Sequence, residues 1–221
     1  MSINLSSVNK SYHQAGRKIE VLKDLNMKLE SGSNLAIVGD SGSGKSTLLS
    51  LLAGLDRPDS GSISISGQDL TQMSEEELTS FRGKNIGVVF QQYHLISHLQ
   101  ALENVLLPLD INSIERAEQK AVEALEQVGL KDRAYHLPHQ LSGGECQRVA
   151  LARAIVHRPE MILADEPSGN LDVETGNAVM NLMFDVISKH SLTMVLVTHN
   201  PELAKQCQNV YRLEKGKLEL Q

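Results

Sequence analysis

Gly39-Asp40-Ser41-Gly42-Ser43-Gly44-Lys45-Ser46 fits the pattern G-x-x-x-x-G-K-[S/T], and its flanks decide how it folds. The apolar run Leu35–Val38 precedes it and reads as a short strand buried on both faces. Ser46 to Ala53 follows as a helical run that Gly54 stops. Strand, glycine-rich turn and helix in that order make a phosphate loop. The glycines let the backbone turn sharply and aim successive N–H groups inward, and the helix N-terminus adds partial positive charge where phosphates sit. Lys45 then reaches the β- and γ-phosphates of a nucleotide, and the Ser46 hydroxyl ligates Mg²⁺. Gly39 to Thr47 therefore read as a site for ATP with Mg²⁺.

Mg²⁺ calls for carboxylate help beside substrate oxygens and water. Met161-Ile162-Leu163-Ala164-Asp165-Glu166 supplies it, an apolar strand that ends in two acids. In parallel α/β sheets ligands bind at that carboxyl edge. Asp165 is placed to hold Mg²⁺ through water, and Glu166 to polarise the attacking water as general base.

Two further apolar runs, Gly87–Phe90 and Met194–Thr198, read as parallel strands of the same kind. Ile3–Val8 and Val21–Leu29 read as strands joined by a polar turn around Gln14 to Lys18. Gly61–Gly67 alternates apolar and polar residues as a half-buried strand does. These three predict an antiparallel layer near the N-terminus. In the middle of the chain Asn112 and Glu115 have the spacing of a capping box. Ala117, Ala121, Val122, Leu125 and Val128 then fall at helical spacing until Gly129. The predicted fold is α/β: a P-loop NTPase core with a parallel sheet, an N-terminal antiparallel β-layer and a helical insertion. The expected organisation is one domain over 1–221. Residues 1–92 and 152–221 form its RecA-like core, and 93–151 a helical part.

Composition sets outer bounds. Of the 221 residues 41% are apolar, enough for a sizeable core, and the formal net charge of −6 argues against a nucleic-acid binder. No run of 18 apolar residues exists, so no bilayer span and no direct membrane insertion are expected. Met1-Ser2-Ile3-Asn4 does not begin a secretory signal. Two cysteines, Cys146 and Cys207, make neither a disulfide framework nor a metal site, and a cytoplasmic protein is expected.

Leu141-Ser142-Gly143-Gly144-Glu145-Cys146-Gln147-Arg148 resembles the LSGGQ-type signature of the nucleotide-binding subunits of ABC transporters. The other elements of that family stand in the expected order. Tyr12 sits where the family has the aromatic that stacks on adenine. Gln91, after Val89-Phe90, resembles the glutamine of the Q-loop, which adds a ligand for Mg²⁺. Ser168-Gly169-Asn170-Leu171-Asp172 resembles the D-loop, and His199 the switch histidine. The resemblance implies that Ser142, Gly143 and Gly144 meet the γ-phosphate held by a second copy of the chain, so that two ATP molecules lie between two head-to-tail protomers. Ser142 and Glu145 also have capping-box spacing before the run Val149–Val156, which gives that helix a start favourable to an anion. Cys146 stands where the family more often has Gln, Lys or Arg. It is either an inert small residue or, at a helix N-terminus that lowers a thiol pKa, a reactive one.

Pro167–Asp172 and Ala101–Pro108 resemble one bacterial branch, the lipoprotein-release and macrolide-export ATPases of LolD, MacB and YbbA type. That branch implies an integral membrane permease as partner, a peripheral place on the cytoplasmic face of the inner membrane, and force transmission to lipoprotein, lipid or hydrophobic cargo. The chain ends soon after a hairpin expected around Gly216, so no regulatory domain is expected to follow. The alternatives are an ABC ATPase that works on DNA or ribosomes, and a binding module without hydrolysis. The first usually carries fused ATPase units, coiled coils or zinc modules, and the second lacks groups such as Glu166 and His199.

Overall fold

Leu35, Ala36 and Ile37 are fully buried in a strand, as a continuous apolar run in a parallel sheet requires. The computed structural model describes every residue except Ala15, that is residues 1–14 and 16–221. In chain order the first elements are β1 (Ile3–Gln14), β2 (Arg17–Leu29), β3 (Asn34–Val38) and α1 (Lys45–Leu52). β4 (Ser60–Ile65), β5 (Gln68–Asp69), α2 (Glu75–Asn85) and β6 (Ile86–Phe90) follow. Next come α3 (Ala101–Ile111), α4 (Ala117–Gln127), α5 (Gly143–Ile155) and β7 (Met161–Asp165). The last are α6 (Val173–Lys189), β8 (Thr193–Val197), α7 (Pro201–Ala204), β9 (Asn209–Glu214) and β10 (Lys217–Leu220).

The chain forms two compact units, Met1–Arg82 with Leu192–Gln221, and Gly83–Ser191. In the first, an antiparallel sheet runs β2-β1-β4-β5, with Ile3 opposite both Leu29 and Ile65. This is the expected N-terminal layer. The turn expected around Gln14 to Lys18 includes Ala15, which lies outside the described residues. A second set of strands in this unit is ordered β10-β9-β3-β8, with β3 parallel to both β8 and β9 and β9-β10 the hairpin at Gly216. Every residue of β8 is buried. Each such Val or Leu contributes about 1.5–3 kcal/mol of burial.

In the second unit β6 and β7 pair in parallel, Phe90 opposite Asp165, beside α3, α4, α5 and α6. This unit takes in β6 and β7 together with the helices from the middle of the chain. Gly87 shows why: α5 lies so close to β6 that a Cβ there would run into the Ala154 carbonyl oxygen. Gln147 of α5, fully buried, also donates to the Phe90 carbonyl at 3.3 Å.

One expectation is corrected. Asn112 does not cap the start of a helix with Glu115. It ends α3, its Nδ2 donating to the carbonyls of Pro108 at 2.7 Å and Gly83 at 3.0 Å. The last carbonyls of a helix need donors, and the Asn112 amide supplies two N–H groups. α4 begins five residues later, behind Arg116 in a left-handed turn with φ 56°.

Candidate nucleotide-binding site

The first unit builds the phosphate loop as its sequence demands. β3 runs into Gly39, where a Cβ would meet the Leu213 carbonyl oxygen, and Gly44 opens α1 with φ 106°. A Cβ at Gly44 would lie 2.9 Å from both Leu22 Cδ2 and Val21 Cγ1, so this turn is closed to larger residues. Gly44 caps α1 with no side chain, which leaves the first N–H groups of Lys45, Ser46 and Thr47 directed at the loop. Lys45 is 7% exposed and folds back along the loop, its Nζ donating to the Gly39 and Asp40 carbonyls at 2.8 Å each. Among the described residues the buried Ser43 hydroxyl oxygen has no hydrogen-bond partner. A buried polar atom without a partner is costly unless a bound group supplies one. Asp40, Ser41 and Ser46 are exposed, and Thr47 is half-buried.

His199 follows β8. Because Ile37 pairs in parallel with Val197, His199 and the phosphate loop leave their strands at the same edge. Tyr12, at the far end of β1, is 40% exposed, and its hydroxyl donates to Asp56 Oδ2 at 2.7 Å. The nearby Thr47 side chain works to lower the pKa of the same hydroxyl. Burial, followed by the Asp56 contact, holds the Tyr12 phenol above its ordinary pKa. Burial of Asp56 works to raise its carboxyl, but hydrogen bonds from Lys10 and Tyr12 outweigh it and the net shift is downward. Neither Lys10 nor Asp56 stands out in the sequence, since they lie 46 residues apart and match no motif.

The second unit gathers the remaining candidates. Asp165 ends β7 with Glu166 next in the chain, and Gln91 follows the partner strand, so the acids and the glutamine emerge at one edge. Glu166 has φ 45°, a left-handed turn that bends the chain away at the strand end, and its carbonyl accepts from Gly169 N at 2.9 Å. Gln91 Nε2 donates to Asn170 Oδ1 at 3.1 Å while Asn170 Nδ2 returns a bond to the Gln91 carbonyl at 3.1 Å. Gln91 is half-buried in this exchange and Gln92 exposed. Beyond it Tyr93 and His94 both have positive φ, 50° and 46°. Arg153 of α5 holds them, donating to the His94 carbonyl at 2.6 Å and the Tyr93 carbonyl at 2.7 Å.

At the start of α5 the capping box forms as expected. Ser142 Oγ accepts from Glu145 N at 3.2 Å and Glu145 Oε2 accepts from Ser142 N at 2.8 Å. Ser142 and Gly143 are exposed, and Gly144 is buried where a Cβ would strike Thr175. Asp172 caps α6, accepting from Thr175 N at 3.0 Å, and that bond draws its carboxyl below the ordinary range. Cys146 is buried. Burial first, and the Glu145 charge second, push its thiol up, and Sγ lies 3.4 Å from the Pro138 carbonyl. Of the two readings of this residue, the geometry favours the inert one.

A groove of about 300 Å³ also lies in this unit, lined by Leu107, Pro108, Ile111, Arg153 and His157 among others. Among the described residues no helix is long and apolar enough to cross a membrane. Nor is any group of three or more His, Cys, Asp and Glu among them placed to hold a metal by itself.

Loop, helix start and strand-end acids place the chain among P-loop nucleotide-binding proteins. The family is narrower than that: the sequence pattern described as ABC transporter matches residues 22–169, and the chain belongs to that family. It is 46% identical over 211 residues to the lipoprotein-releasing system ATP-binding protein LolD of Legionella pneumophila (strain Paris), covering 95% of this chain and 93% of that one. It is 45% identical over 219 residues to the uncharacterized ABC transporter ATP-binding protein YbbA of Escherichia coli (strain K12), covering 98% and 96%. Its backbone superposes with a TM-score of 0.89, at 38% identity and covering 98% and 96%, on the ATP-binding cassette MJ0796, solved as a dimer in a post-hydrolysis state with ADP and Pi. The chain is an ATP-binding subunit of the ABC transporter type.

Proposed function

We propose that this chain is the ATP-hydrolysing subunit of a bacterial ABC transporter complex. It works as a homodimer on the cytoplasmic face of the inner membrane and drives a separate permease. The cargo class is lipoprotein, lipid or another hydrophobic molecule, moved by transmitted force, and the similarity to relatives named for lipoprotein release supports this. The observation that carries the proposal is the presence on one chain of two helix starts suited to anions, α1 at the phosphate loop and the exposed start of α5.

In this proposal the two compact units act as one ATPase domain. Tyr12 stacks on adenine, and the N–H groups of Gly39 to Thr47 take the phosphates. Lys45 exchanges the Gly39 and Asp40 carbonyls for the β- and γ-phosphates. The donor types suit Mg²⁺, since a hydroxyl, a carboxylate and an amide oxygen are hard ligands and substrate oxygens complete the shell. Ser46, Gln91 and Asp165 would hold Mg²⁺, whose charge offsets that developing on the phosphoryl oxygens. Glu166 orients and deprotonates the attacking water, and His199 donates a hydrogen bond to the γ-phosphate. Ser142, Gly143 and Gly144 of one protomer complete the site of the other, with Asp172 beside them. The groove rimmed by Ile111, 78% exposed, is the surface for the permease. Arg153 lines it and also holds the loop after Gln91.

Glu166→Gln tests the chemistry. ATP binding should persist while turnover falls about 100-fold or more; retained turnover refutes the assignment of the base. Purification from membranes in mild detergent tests the setting. Recovery of a multi-span permease supports the transporter, and recovery of ribosomes or DNA instead favours the alternative.

A further inference from the structure

We propose that Asp56 is a positioning residue for the nucleotide base, clamping the Tyr12 ring by its hydroxyl while Lys10 anchors the clamp. The proposal rests on Tyr12 being the base platform. Lys10 and Tyr12 are two residues apart on β1, and Asp56 reaches both side chains. Asp56 Oδ2 takes the Tyr12 hydroxyl at 2.7 Å, and Asp56 Oδ1 takes Lys10 Nζ at 2.6 Å and Arg57 N at 2.7 Å. Lys10 is 9% exposed; its Nζ also donates to the Arg57 carbonyl at 2.7 Å and lies 5.0 Å from the Tyr12 ring centroid. The ammonium thus lies against the ring while the carboxylate fixes the ring's tip.

The rest of the turn holds the same strand. Asp59 Oδ2 accepts from Ser11 N at 2.8 Å and from the Ser11 hydroxyl, and Asp59 N donates to the Asn9 carbonyl at 2.8 Å. Arg57 ties the turn to the carbonyls of Thr71 at 3.2 Å and Met73 at 2.6 Å. Thr47, whose side chain is near enough to the Tyr12 hydroxyl to work against the rise in its pKa, is the residue after Ser46 at the start of α1. Ring and phosphate loop are therefore referenced to one another before any base arrives. A half-exposed tyrosine left to rotate would have to be ordered by each incoming nucleotide. A clamped one is ordered in advance, and the benefit falls on binding rather than on the chemical step.

The test compares the full-length protein with its Tyr12→Phe, Asp56→Asn and Tyr12→Ala variants, and with the double variant that combines Tyr12→Phe and Asp56→Asn. ATPase kinetics are measured, together with equilibrium binding of ATP and of tripolyphosphate, which has no base. Tyr12→Phe and Asp56→Asn should each raise the KM for ATP about 2- to 10-fold with kcat and tripolyphosphate affinity unchanged. The double variant should be no worse than either single one, because both remove the same hydroxyl–carboxylate bond. An unchanged KM in Tyr12→Phe, with Tyr12→Ala impaired, overturns the clamp and keeps the base platform. An unchanged KM in Tyr12→Ala overturns the platform itself. Tyr12→Phe leaves the Lys10–Asp56 pair intact, so it decides the matter even if Asp56→Asn fails to fold.

Discussion

Replacing Ser142 by Ala and by Asp separates two jobs held by one side chain. Ala removes the 3.2 Å bond to Glu145 N but leaves the return bond from Ser142 N to Glu145, which uses the backbone. Loss of such a cap costs about 1 kcal/mol. In a chain of 221 residues that lowers Tm by about 2–4 °C. Asp caps a helix about as well as Ser, so Ser142→Asp should melt within a degree or two of the parent protein. Its carboxylate, however, stands at the exposed start of α5, where the partner's γ-phosphate is proposed to come. Two unit charges about 4 Å apart at an effective dielectric of 20 repel by about 4 kcal/mol. That is about a thousand-fold in affinity at each of the two sites. Thermal melts report the first job. Light scattering with ATP, on a Glu166→Gln background to hold the dimer closed, reports the second. A Ser142→Asp protein that dimerises as tightly as its parent refutes the anion-binding role of this helix start.

The remaining expectations concern stability and reactivity. Burial holds the His157 imidazole below its ordinary 6.5, and among the described residues neither buried ring nitrogen has a hydrogen-bond partner. The unfolded chain therefore takes up the proton first, and stability present above pH 6.5 is lost as pH falls through the depressed folded value. Urea midpoints should drop between pH 7 and 5, and His157→Gln should flatten that slope; parallel curves count against it. Gly87→Ala should destabilise by about 1–3 kcal/mol or more, since its Cβ meets the Ala154 carbonyl oxygen, and a wild-type urea midpoint would contradict the packing. Cys146 should resist alkylation at neutral pH and Cys146→Ser should keep its ATPase activity, whereas loss of activity on mild alkylation would revive the reactive thiol.

The phosphate loop, the signature helix and the paired strand ends are legible because each follows from residues adjacent in the chain. Glycine spacing, a capping box and unbroken apolar runs are local physics. The same rule misleads at Asn112, where the spacing to Glu115 is right but the side chain turns back to the Pro108 and Gly83 carbonyls instead. At α2 a true capping box stands unannounced, Ser74 N donating to Glu77 Oε2 at 2.7 Å. That helix buries only Leu78 and Phe81, so it shows little apolar periodicity. Asp172, expected for its part in the D-loop, also caps α6. The Lys10–Tyr12–Asp56 set is invisible to local reading, because it joins a strand end to a turn 44 residues away.

The stretch Phe90–His94 is tied down at every step but one, by Gln147 at Phe90, Asn170 at Gln91 and Arg153 at Tyr93 and His94. All three anchors lie outside it, and two of them sit on α5. For protein engineering this makes the segment poor material for grafting. A chimaera that imports the loop from a relative without also importing matching residues at 147, 153 and 170 would leave two left-handed turns unsupported.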